Sequence, residues 1–172
     1  MNENNSYMFK AALHGGITNA IVNGLFAWFL SGGKTHLPIY GGEGVLVDYL
    51  ATTAILIIIL TLIVLPMQRK KAPLNMNVAK PAPAYYQTFF AYMSTYRNIA
   101  IAGLLALYGV ILVAPSLLLV FEIFSVSELS RLHYSVVKGL LMGVVAALVV
   151  YPIVYMVIKP VGKQSTVIGD KP

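Results

Sequence analysis

Four polar side chains in an otherwise apolar sequence have the types and spacing to do chemistry: His14, Asn19, Asn23 and Asp48. Asn19 and Asn23 are four residues apart, one turn of a helix. His14 precedes them within the same apolar stretch, and Asp48 opens the next one. An imidazole titrates near neutral pH, and a carboxamide both donates and accepts hydrogen bonds. With His14 on the inner side, the asparagines at mid-depth and Asp48 outside, the set reads as a polar path for a proton or small polar solute. The plainer alternative is that the asparagines bond to neighbouring helices while His14 and Asp48 reach lipid headgroups.

Other chemistries find less support. His36, Glu43, Glu122, Glu128 and His133 gather in two loops, but they lack a helical histidine pair at ligand spacing, so no metal site is expected. Gly33-Lys34-Thr35 ends like a phosphate-binding loop, yet Trp28 stands where that motif needs its first glycine. Gly41-Gly42-Glu43-Gly44 reads as a chain reversal. With no cysteine among 172 residues, disulfides, thiolate metal sites and thiol catalysis are excluded. No serine–histidine–acid set and no pair of buried carboxylates is visible. The expectation is a protein that is not an enzyme and needs no cofactor.

These residues are carried by long apolar stretches. Hydrophobic residues make up 58% of the chain and charged ones only 10%, against about 25% charged in ordinary soluble domains. Four stretches, residues 11–30, 45–65, 99–121 and 136–158, approach or exceed the ~20 residues that cross a bilayer as a helix. Helices are required because lipid cannot satisfy free backbone groups, and the solid apolar block Ile55 to Leu60 lacks the alternation of a membrane β-strand. The leader Met1 to Ser6 lacks a basic start, so the first span is expected to be an uncleaved signal-anchor. The fold class expected is all-α: an integral membrane four-helix bundle, one domain over residues 1–172.

Charge gives the bundle an orientation. An even number of spans puts both termini and the 66–98 loop on one side, with Lys10, Arg69, Lys70, Lys71, Lys80, Arg97, Lys159, Lys163 and Lys171. The other side holds only Lys34, Arg131 and Lys138. Basic residues favour the cytoplasm, so both termini are expected there. The net charge of +6 then reports membrane orientation, and nucleic acid is not an expected partner. The architecture is similar to that of small four-span bacterial inner-membrane proteins, which implies a bacterial cytoplasmic membrane.

The spans also differ in what they offer neighbours. Gly16, Ala20 and Gly24 form one stripe of small residues, and Gly139, Gly143 and Ala147 form another. Such stripes let helix backbones approach closely, either with each other or across a homo-oligomer. The first span is polar enough to be shielded inside the bundle, whereas the second can face lipid. Pro115 and Pro152 should weaken the third and fourth helices locally. In the long loop, Tyr85, Phe89, Tyr92 and Tyr96 share one helical face, as in an interfacial helix. The expected function is a small permease- or channel-like protein; the alternative is a non-catalytic accessory or assembly subunit of a membrane complex.

Overall fold

The computed structural model describes residues 3–71 and 96–157. Within them the chain is helical, with α1 at Glu3–Leu30, α2 at Val45–Lys71, α3 at Asn98–Ile123 and α4 at Arg131–Val157. The helices have 26 to 28 residues, a length of about 40 Å at 1.5 Å per residue. Three of them, α2, α3 and α4, are long and apolar enough to cross a membrane, which fits an integral membrane protein. The tyrosine-rich segment from Tyr85 to Thr95, the Pro73, Pro81 and Pro83 stretch and the C-terminal lysines lie outside the described residues.

The helices pack as a series. α1 lies against α4, α4 against α2, and α2 against α3. The polar α1 therefore sits at an end of the series, and the expectation that it would be shielded inside is corrected. α4 and α2 hold the inner positions instead, and half of the spanning window of α4 is buried, against 28% for α2 and 17% for α3. The reason lies in side-chain size. α1 meets α4 through glycine and alanine, which give close backbone approach along one stripe and leave the rest of its circumference uncovered. A Cβ added at Gly143 would stand 2.8 Å from the Ala20 Cβ and 2.9 Å from the Gly16 carbonyl. One added at Gly139 would stand 2.7 Å from the Ala20 carbonyl. The two small-residue stripes thus face each other within one chain.

Packing elsewhere is by larger side chains. Ile57, Leu65, Ile101, Met142 and Ile153 form the main apolar core between α2, α3 and α4, each fully buried. A second cluster, with Ile39, Val45, Tyr49, Phe121 and Tyr134, closes the end where the two short loops lie. Thr53 and Thr61 are buried inside α2 and return their hydroxyls to the carbonyls of Tyr49 and Ile57, at 2.8 and 2.7 Å. That satisfies each hydroxyl without a partner helix. α2 also runs past Pro66 to Lys71, further than the apolar stretch that ends at Leu65. Tyr7 of α1 donates to Gln68 there at 2.8 Å.

The two short loops are joined by a small antiparallel sheet that sequence patterning does not reveal. β1 (His36–Pro38) pairs with β2 (Glu128–Ser130), with Leu37 opposite Leu129. Three-residue strands are too short to show alternation, and their pairing spans most of the chain. Gly44 lets the first loop close onto α2, since a Cβ there would lie 2.6 Å from the Ile39 carbonyl. At the end of α3, Ser125 adopts φ 49. The amides of Ser125 and Val126 return to the carbonyls of Glu122 and Phe121, a Schellman ending with serine where glycine is usual. Ser130 caps α4 by accepting the His133 amide at 3.3 Å.

Candidate functional site

The densest polar cluster sits where α2 and α4 meet at the loop end. Asp48 lies in the first turn of α2, where the helix dipole favours a carboxylate. Tyr134 and Lys138 are four residues apart on α4, hence on one face. The Lys138 ammonium donates to both Asp48 oxygens, at 2.9 Å to Oδ1 and 2.7 Å to Oδ2. Its third donor faces the Tyr134 hydroxyl at 3.3 Å. That hydroxyl in turn donates to Asp48 Oδ2 at 2.7 Å. Lys138 has spent all of its donors within the cluster.

Tyr49 extends the network inward. Its hydroxyl donates to the Tyr134 carbonyl at 2.9 Å, and the two rings stack with centroids 5.6 Å apart. Beneath them the Thr53 hydroxyl lies 4.0 Å from the Met142 sulfur. The Lys138 side chain is 9% exposed and that of Asp48 39%, so the carboxylate alone opens toward the loop end. A buried ammonium is costly unless paired, and here the opposite charge and a hydroxyl surround it. The carboxylate accepts three hydrogen bonds, two of them from the Lys138 ammonium, and so joins α2 to α4.

A second polar junction ties α1 to α4. The Arg131 guanidinium donates from Nε to the Trp28 carbonyl and the Ser31 hydroxyl, both at 3.0 Å, and from Nη2 to the same carbonyl at 2.6 Å. It also stacks over the Trp28 ring at 4.2 Å. A cation at a helix C-terminus satisfies carbonyls that the helix itself leaves open. The remaining pairs, Lys34 with Glu43 at 4.0 Å and His36 with Glu128 at 3.8 Å, are largely exposed. His133 Nδ1 lies 2.7 Å from the Ser130 hydroxyl.

No hydrogen bond or ion pair among the described residues joins the expected polar path into one network. Asn19 donates to the Gly15 carbonyl at 2.9 Å and Asn23 to the Asn19 carbonyl at 3.0 Å, both within α1. His14 and Thr18 are exposed on the face of α1 that α4 does not cover. Asp48 belongs to the Lys138 cluster, and no hydrogen bond or ion pair among the described residues joins it to His14, Asn19 or Asn23. Sequence reasoning missed Lys138, Tyr134, Tyr49 and Arg131 as site residues. A signal was present: Lys138 lies inside the fourth apolar stretch, one turn after Tyr134, and a lysine there needs a partner. Comparison with known proteins finds no matching family model, no matching curated protein and no matching solved structure.

Proposed function

We propose that the chain is a non-catalytic accessory or assembly subunit of a membrane complex. In this reading it crosses a bacterial inner membrane four times, with both termini cytoplasmic. The distribution of nine basic residues on one side and three on the other supports the orientation. Its length of 28 residues allows α1 to be the fourth span.

The observation that carries the reading is the placement of α1. The most polar helix occupies an end of the packed series, with His14 and Thr18 on its uncovered face. Polar side chains facing hydrocarbon are costly, and interhelical hydrogen bonds relieve that cost by about 1 kcal/mol each. A partner helix carrying acceptors would cover this face. A permease would need His14, Asn19, Asn23 and Asp48 along one route, whereas the asparagines turn to their own backbone and Asp48 is held by Lys138 and Tyr134.

Photocross-linking in native membranes tests the proposal. A photoreactive phenylalanine at Thr18 should yield one discrete adduct with a second integral membrane protein. The same group at Ile55, which is exposed on α2, should yield lipid adducts only. Lipid adducts alone at both positions would overturn it.

A further inference from the structure

Beside the close crossing of α1 and α4 lies a shallow, open apolar groove of about 350 Å³. Small residues form its floor, at Ala20, Gly24 and Gly139, and its walls include Ile21, Leu25 and Val136. The floor is low because the stripes that bring the backbones together carry no side chain large enough to fill the flank. Ile21 and Val136 are each at least half exposed, so the groove opens sideways, toward the bilayer of a membrane-spanning chain.

The residues directly above the groove have a different character. One turn toward the loop end on α1 is Trp28, and one turn on α4 is Arg131, stacked over it. Both lysines at this end have acidic partners: Lys34 with Glu43 and Lys138 with Asp48. Among the described residues Arg131 has no carboxylate partner. Its Nε and Nη2 are held by Trp28 and Ser31, and Nη1 has no protein acceptor among those residues. A fixed guanidinium with donors to spare is suited to phosphate.

A positive charge at headgroup level over an apolar slot matches one kind of molecule, an anionic amphiphile lying along the helices. We propose that the groove binds an anionic phospholipid, with one acyl chain between α1 and α4 and its phosphate on Arg131. The site needs only that the helices span the bilayer, and it is independent of which face is cytoplasmic. A second copy of the chain is the less suitable occupant, because its helix would leave Arg131 without a counter-charge.

Trp28 is the sole tryptophan of the chain, so its fluorescence reports on the site directly. The protein is reconstituted in nanodiscs with brominated phosphatidylglycerol or brominated phosphatidylcholine of the same acyl length, at equal mole fraction. One basic residue near the bilayer surface favours an anionic lipid by about fivefold in association constant. Quenching of Trp28 should show that preference. Arg131→Lys should keep most of it and Arg131→Gln should lose it. Ile21→Phe with Val136→Phe fills the groove from exposed rim positions, and should reduce quenching by phosphatidylglycerol to the phosphatidylcholine level. Equal quenching by both lipids in the wild type would overturn the proposal, as would a preference that survives rim filling. Quenching that disappears only when two copies share a disc would also overturn it and assign the groove to a second chain. If Arg131→Gln does not fold, the wild-type preference and the rim variant decide the matter.

Discussion

Lys138 carries a full charge into the packed interior of α4, and everything around it is arranged to keep that charge matched. Removing either partner should therefore cost more than removing both. Asp48→Asn leaves the ammonium buried without its counter-charge and should destabilise the protein by about 3 kcal/mol, the low end for a broken buried pair because Asp48 is partly exposed. The double change Asp48→Leu with Lys138→Met should recover part of that loss, since it removes both charges and leaves only the Tyr134 hydroxyl without its acceptor. Reversible unfolding in detergent micelles measures both. A double variant no more stable than Asp48→Asn would mean that the pair does more than hold α2 to α4. Half of this cluster can be read from sequence. Asp48 is recognisable as an acid in a first helical turn, but its partner lies 90 residues away. Lys138 stands within the fourth apolar stretch, so that it needs a partner is legible, but only the contact between helices identifies that partner as Asp48.

At the scale of the helix pair, α1 depends on α4 and on little else. The junction rests on close approach at Gly16, Gly139 and Gly143 and is locked at its loop end by Arg131 on Trp28. Gly143→Leu would drive a side chain into the Ala20 Cβ and the Gly16 carbonyl. The expected outcome is displacement of α1 with a loss of about 1–3 kcal/mol, typical of overpacking. The chain contains no native cysteine, so oxidation of a cysteine pair placed across the α1–α4 contact reads the displacement cleanly. Full cross-linking in the Gly143→Leu background would contradict this account of the interface. The stripes themselves are legible because their four-residue spacing is local. What spacing does not contain is the identity of the partner: α4 of the same chain, and not a second copy, takes up the stripe of α1. The edge position of α1 is likewise absent from its composition. Polarity suggested shielding, but the size of the contacting side chains decides how much of a helix a neighbour can cover.

Across the whole molecule, helical class and membrane character follow from composition and the length of the apolar stretches. The arrangement of the helices and the paired strands does not. The loop end is tied by three kinds of contact that sequence periodicity cannot show: the β1–β2 pairing, the Arg131 cap and the Asp48–Lys138 pair. The opposite end has the Tyr7–Gln68 hydrogen bond and the Met8, Ala12, Val150 and Val154 cluster. Three charged or polar ties at one end and a mainly apolar contact at the other describe a bundle that holds its helices together more firmly than it separates them. On the proposed reading as an accessory subunit no aqueous route runs along α1, and labelling measures that directly. Single cysteines at Asn19, Asn23 and Lys34 in the cysteine-free chain, probed in sealed vesicles with a membrane-impermeant maleimide from each side in turn, give the test. The account predicts rapid labelling of Lys34→Cys from one side only and no labelling of Asn19→Cys or Asn23→Cys from either. Labelling of Asn23→Cys at a rate comparable to Lys34→Cys would place water beside α1 and contradict it.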